Sequence, residues 1–223
     1  ISKKYPELTT MDQDIVDRFT VYGYDMSKIS KKADSKATQY YIYSDKLAEA
    51  IKKLNLTGCT SINKFIPDLY KYATVEERIE LMQGLMDTDG YVDDRGHMSY
   101  STISKQLAED VAFIVRSLGG VATIKKGAAG YKKDGEYIQC NDCYDVHFRT
   151  KINPELVSIP RKKERAKYEF NGGASELGKR IIDVEYIGEQ TSRCITVDDP
   201  SGLYVVDDFT VTHNSFLGAS WLI

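Results

Sequence analysis

A chain of 223 residues, 42% hydrophobic and 28% charged, has enough apolar content for more than one core. Its net charge of -3 provides no global basic field for nucleic acid, so any such contact has to come from local patches. Four scattered cysteines (Cys59, Cys140, Cys143 and Cys194) and the lack of a signal peptide or long apolar span exclude a disulfide scaffold and a membrane-spanning protein, and fit a reducing cytoplasm.

In chain order, Asp12 suits the N-cap of a short helix with Ile15, Val16 and Phe19 on one side, ended by Gly23. Tyr24 to Lys32 and Thr38 to Tyr43 read as two strands joined by a basic loop, and Asp45 to Leu54 as a helix with Leu47, Ile51 and Leu54 inward. Thr74 and Glu77 form a capping box ahead of a helix whose apolar face is Ile79, Met82, Leu85 and Met86. A second helix follows Ser101-Thr102-Ile103-Ser104, with Leu107, Val111, Ile114, Val115 and Leu118 on one face and Gly119-Gly120 closing it. Ala122 to Lys126 and Cys143 to Arg149 are then strands around a Lys-rich loop.

The order of elements after Thr9 repeats after Ser101, an offset of 92, which a duplicated unit explains. A rival alignment of Leu47-Ala48-Glu49 with Leu107-Ala108-Glu109 leaves the strands after the second helix without counterparts. Because the chain opens on Ile1 with no complete element before Thr9, the expectation is a fragment with its upstream part missing. Cys140-Asn141-Asp142-Cys143 has zinc or redox spacing but lacks a second ligand pair and a strand-to-helix setting, so a structural role is expected; His147 reads as a strand residue.

Chemistry concentrates at two places. At the first, the helix from Val75 runs out in Gly84-Leu85-Met86-Asp87-Thr88-Asp89-Gly90. Gly84 lets a partner helix approach, and Asp89 emerges beside a turning Gly, where a carboxylate can hold a divalent metal against a phosphate. The competing readings are an amphipathic core helix ending in a polar turn and a calcium loop, and the latter lacks the later Glu. Met82 to Gly90 resembles the LAGLIDADG motif of homing endonucleases. The resemblance implies two such helices packed side by side, each giving its last acid to a magnesium-dependent cut in double-stranded DNA. Here that acid is Asp89, and its partner motif would come from upstream, from a second copy, or be lost. Lys125, Lys126, Lys132, Lys133, Arg149 and the run Arg161-Lys162-Lys163 are candidate phosphate contacts, against the alternative of solvated surface charge.

The second place is Thr212-His213-Asn214-Ser215, reached through the short β runs Arg193 to Val197, Leu203 to Val206 and Phe209 to Val211. An asparagine can close a succinimide on its own carbonyl and release the next residue's amine, with a neighbouring histidine protonating the leaving nitrogen. Ser215 supplies a hydroxyl that can carry an acyl ester and pass it to the freed amine. This block resembles the C-terminal end of inteins, self-splicing elements of the Hedgehog/intein (Hint) fold. Cys194 stands where many inteins have an acid. One intein class uses such a cysteine as first nucleophile, with a threonine before the penultimate histidine, and Cys194 and Thr212 match; a buried packing cysteine is the alternative. The tail from Ser215 suits the start of a host protein, with Ser215 completing a phosphate loop if Gly and Lys precede the insertion, as in viral terminase or helicase ATPases.

The resemblances imply an α+β fold: an αββαββα endonuclease unit with part of a preceding repeat, plus a small all-β splicing segment. The expected boundaries are 1–57 for the first repeat, 58–165 for the second, 166–179 for a linker, 180–214 for the splicing segment and 215–223 for host sequence. The implied function is protein splicing, without a cofactor, combined with magnesium-dependent cleavage of the host gene that lacks the insert. The alternatives are a free-standing DNA-binding or nicking protein with a relic splicing end, and a host ATPase fragment.

Overall fold

The computed structural model describes residues 5–30, 36–133, 136–167, 183–191, 193 and 195–213. Two units divide the chain, Ile1–Asn171 and Gly172–Ile223. The first unit runs β1 (Glu7–Thr10), α1 (Gln13–Val21), β2 (Asp25–Ser30), β3 (Thr38–Tyr43), α2 (Asp45–Lys53) and the single-turn α3 (Asp68–Lys71). It continues through α4 (Val75–Thr88), β4 (Gly90–Val92), β5 (Met98–Thr102), α5 (Lys105–Ser117), β6 (Val121–Lys133), β7 (Glu136–Arg149), a 3-10 turn Asn153–Leu156 and the single-turn α6 (Pro160–Lys163). Its two antiparallel sheets have strand orders β1-β3-β2 and β4-β5-β7-β6. The architecture is mixed α+β.

The order β1-β3-β2 repeats in β5-β7-β6, with α1 and α5 at the same place in the chain. Even the entry to the helix repeats. Thr10 Oγ1 accepts from Asp12 N at 3.1 Å, and Thr102 Oγ1 accepts from Ser104 N at 3.1 Å, again 92 residues on.

The larger core lies between α4, α5 and the inner face of the four-stranded sheet. Met82 and Met86 from α4 and Val111, Ile114 and Val115 from α5 are fully buried against Val92, Met98, Val146 and Phe148. Each such side chain removed from water is worth about 1.5–3 kcal/mol. Strand alternation sends Val146 and Phe148 inward and Asp145 and His147 outward, so the sheet has one apolar and one polar face. Buried Asp110 on α5 anchors the preceding segment: it accepts from Ile66 N at 2.8 Å, Lys71 Nζ at 3.1 Å and Gln106 Nε2 at 3.0 Å.

The ends of α4 and α5 are set by side chains. Thr74 and Glu77 exchange bonds with each other's main-chain amides at 3.3 and 3.0 Å, and Ser104 Oγ accepts from Leu107 N at 3.1 Å. Asp12 departs from its expected capping role: it makes no side-chain cap bond, because its carboxylate receives Arg161 Nε and Nη2, each at 2.8 Å. The Arg161 guanidinium holds the Asp12 carboxyl below the usual carboxylate range.

Three other expectations are corrected. The Lys-rich loop is strand: β6 and β7 stay paired as far as Lys133 and Glu136, making a two-stranded arm longer than β5. No residue of α2 is buried; Leu47, Ile51 and Leu54 are half-exposed. In the second unit, the described parts of 183–197 carry no strand, although Arg193 to Val197 reads as one. An apolar run needs a hydrogen-bonding neighbour to become one, and among the described residues none pairs with it. That unit contains the hairpin β8 (Leu203–Val206) and β9 (Thr210–His213), joined by a 3-10 turn in which Asp208 and Phe209 adopt positive φ.

The two motif glycines differ. A Cβ on Gly90 would lie 2.5 Å from Met86 Cα, so only glycine lets β4 start tight against α4. A Cβ on Gly84 would meet nothing within 4 Å among the described residues, in place of the close helix approach expected there. Gly84→Ala should therefore raise stability by up to about 1 kcal/mol in thermal unfolding of this chain, whereas Gly90→Ala should lower it by about 1–3 kcal/mol.

Candidate active site

The last turn of α4 carries two carboxylates at the helix end where negative charge is least welcome, because the unpaired carbonyls there are partly negative. The structure treats the two acids differently. Asp87 is 5% exposed and turned into the protein: Oδ1 accepts from Ser158 N at 2.9 Å and Ile159 N at 3.2 Å, and Oδ2 takes the Ser158 hydroxyl. Arg18 of α1 reaches the same group, with Nη1 at 4.0 Å from Asp87 Oδ2, 3.2 Å from Ser158 Oγ, and Nη2 bonded to Gln83 Oε1 at 3.1 Å. Asp89, the C-cap residue, leaves the helix with its side chain exposed.

Between the acids lies a buried cation. Lys162, 5% exposed, donates from Nζ to the carbonyls of Met86 (2.6 Å), Asp87 (2.8 Å), Thr88 (3.5 Å) and Gly90 (2.8 Å). These carbonyls flank Asp89 on both sides. Burial and the neighbouring Arg161 push the Lys162 pKa down, while Asp87, Asp12 and Asp89 oppose them. This corrects the reading of Arg161 and Lys162 as phosphate contacts: Arg161 is committed to Asp12 and Lys162 to the end of α4, leaving Lys163 exposed.

Asp89 lines a cavity of about 690 Å³ with Thr88, Leu85, Tyr100, Lys64 and Glu7. Tyr100 is 3% exposed; burial and then the charge of Asp89 raise its pKa, so it stays a phenol. Among the described residues no three His, Cys, Asp or Glu side chains come together as a metal cage. One exposed hard carboxylate suits magnesium, which keeps several waters and takes one or two carboxylates along with phosphate oxygens.

Of the candidate phosphate contacts, Lys125 and Arg149 fall on the outer sheet face, where the cross-strand rows are Tyr91-Ser99-His147-Thr123 and Ser101-Asp145-Lys125, with Arg149 opposite Val121. Lys126 is on the other face and is salt-bridged to Asp142 at 2.8 Å. The backbone of Lys132 and Lys133 is in the β6–β7 arm; their side chains are outside the described residues, as is that of Cys140. Cys143 is half-buried, and burial and Asp145 raise its thiol pKa.

In the second unit, His213 is opposite Leu203 and Thr212 opposite Tyr204. His213 lines a cavity of about 230 Å³ with Ile195, Thr196, Val197, Ser201 and Gly202. Cys194, Asn214 and Ser215 lie outside the described residues.

Sequence reasoning missed Arg18, Ser158 and the role of Lys162. Lys162 sits in a run of three basic residues that resembles a solvated patch, and nothing local to Ser158 or Arg18 points to Asp87.

Residues 76–155 match the LAGLIDADG-like domain family. The chain is 33% identical over 163 residues to the replicative DNA helicase DnaB of Mycobacterium intracellulare, and 30% identical over 184 residues to the ATP-dependent DNA helicase Hel308 of Methanocaldococcus jannaschii. The matches take in 72% and 78% of this chain and span 27% and 15% of the length of those proteins. Among solved structures, I-DmoI in complex with DNA and calcium is similar at a TM-score of 0.43 and 13% identity, covering 71% of this chain and 80% of that one. Mesophilic variants of the homing endonuclease I-DmoI give a TM-score of 0.46 at 12% identity, with the same coverage.

Asp87→Ala would strand three donors and leave Lys162 and Arg18 short of a counter-charge, and should cost about 3–5 kcal/mol. Asp89→Ala, two residues on, should change stability by no more than about 0.5 kcal/mol. Denaturant unfolding of both variants checks the contrast.

Proposed function

We propose that the first unit is a DNA-binding nuclease of the homing endonuclease kind and that the second is the C-terminal part of a protein-splicing element, both inserted in a helicase-type host. The observation that carries the nuclease reading is the division of labour on α4: Asp87 is consumed internally, while Asp89 is exposed on a backbone pinned by Lys162. The LAGLIDADG-like match over 76–155 supports the substrate class. The two helicase relatives support the host.

In this reading the outer face of β4-β5-β7-β6 lies on double-stranded DNA of the host gene lacking the insert. Lys125 and Arg149, with Lys132 and Lys133 of the arm, neutralise phosphates without reading sequence, whereas Lys126, on the opposite face and paired with Asp142, takes no part. Asp89 would hold a magnesium ion against the scissile phosphate; the ion supplies Lewis-acid stabilisation of the charge that develops there. Tyr100, kept as a phenol, lines the wall of that cavity. With one such acid, the chain alone is expected to bind or nick; cutting both strands needs a second acid from an upstream motif or a second copy. In supercoiled DNA bearing the uninterrupted host gene, magnesium should convert circles to nicked form, chelation should stop it, and Asp89→Asn should slow it by about 10²–10³-fold. Nicking undiminished in Asp89→Asn sinks the assignment.

For splicing, the pairing of β8 with β9 and the cavity that His213 shares with residues 195–197 support a histidine held in place at the end of β9. Asn214 attacks its own carbonyl through its amide nitrogen, His213 protonates the departing amine of Ser215, and a succinimide forms as the peptide bond breaks. The acyl group, first a thioester on Cys194, passes to the Ser215 hydroxyl, freeing the thiol, and then shifts to the Ser215 amine. In a precursor with host sequence on both sides, Asn214→Ala should accumulate the branched ester, and Cys194→Ala should abolish ligation. Normal ligation from Cys194→Ala removes that cysteine from the pathway.

A further inference from the structure

The turn between β4 and β5 is closed by Asp93. Its carboxylate accepts from Arg95 N at 2.9 Å and His97 N at 2.8 Å, and lies 2.9 Å from His97 Nδ1. Partial burial pushes the Asp93 pKa up, but His97 and the two amides outweigh it and hold the group below the usual carboxylate range. An ionised carboxylate can only accept, so Nδ1 carries a hydrogen and Nε2 is the ring nitrogen left for a ligand.

His97 lines a cavity of about 320 Å³ on the sheet with Thr123, Lys125, His147 and Arg149. The cavity wall contains no carboxylate. Asp145, opposite Lys125 in the adjoining row, accepts from the Ser101 hydroxyl instead. Four basic side chains and a hydroxyl, drawn from β6, β7 and the β4–β5 turn, thus converge on one concavity whose first member is locked in place by an acid. A concave set of two permanent cations, two imidazoles and a hydroxyl, with no acid in its wall, suits an oxyanion, and a phosphate group is the one that a DNA-facing sheet meets.

We propose that His97, His147, Lys125 and Arg149 form a phosphate seat on the outer face of the sheet and that it takes a phosphodiester of bound duplex. The identity of the bound molecule rests on the DNA reading above; the oxyanion chemistry does not.

Two measurements on the full chain separate them. Inorganic phosphate, titrated at fixed pH and followed by imidazole NMR, should shift the His97 and His147 resonances together in the wild type and much less in Lys125→Gln. Unmoved imidazoles overturn the seat. Separately, anisotropy with a short duplex over a series of salt concentrations should show that His97→Gln combined with Lys125→Gln weakens binding several-fold and lowers the slope of log affinity against log salt by about 1–2. Asp93→Asn should give a smaller loss in the same direction. If the wild type binds duplex and the double variant binds it with the same affinity and slope, the seat is overturned and the DNA reading survives. If phosphate shifts both imidazoles but the wild type binds no duplex, the seat stands as an anion site and the DNA reading fails.

Discussion

An ammonium group buried against the end of a helix is the constraint on which the first unit depends. Helix α4 ends in two carboxylates, the wrong charge for a C-terminus, and Lys162 answers both problems at once. Its Nζ satisfies carbonyls that the helix leaves without partners, and its charge opposes those of Asp87 and Asp89. Desolvating an ammonium is tolerable only when its donors are taken up, and four carbonyl contacts do that. The cation comes from α6, more than seventy residues further along the chain. The end of α4 is therefore completed by a residue that follows every strand of the four-stranded sheet in sequence.

The same point is tied from the other side. Arg18 on α1 contacts Gln83, Ser158 and Asp87, and Asp12 at the start of α1 takes Arg161. Three segments far apart in sequence, α1, the last turn of α4 and residues 158–162, thus share one hydrogen-bonded cluster. Groups in a network of this kind stabilise one another, so loss of one partner is felt by all.

Local chemistry was legible. The capping box of Thr74 and Glu77 and the apolar stripe of α5 follow from side chains within a few residues of one another, the repeat at an offset of 92 follows from comparing such local patterns, and the structure contains all three. The surroundings of the site were not. Arg161-Lys162-Lys163 is three like charges in a row, yet one pairs with an acid 149 residues away, one is buried, and one faces water. No periodicity distinguishes them, because the distinction is made by what folds against them. Gly84 and Gly90 pose the same problem: glycine marks a place where a side chain is absent, and only packing tells whether one would fit. The β6–β7 arm was hidden for another reason, since Gly127, Gly130 and the lysines look like a loop, whereas strand pairing in a two-stranded ribbon needs no buried face.

In the proposed reading Asp89 holds a metal; such a carboxylate must face solvent and substrate, yet useful chemistry requires it to be held within about half an ångström. Burying the residue would fix it and raise the cost of its charge. Here the backbone is fixed instead. Asp89 lies between Gly90, whose contact with Met86 tolerates no side chain, and Leu85, whose carbonyl accepts the Asp89 amide at 3.0 Å. Lys162 holds carbonyls on either side of it. The two motif acids are thus not interchangeable: Asp87 spends its charge on making the helix end rigid, and that rigidity lets Asp89 remain exposed without being loose.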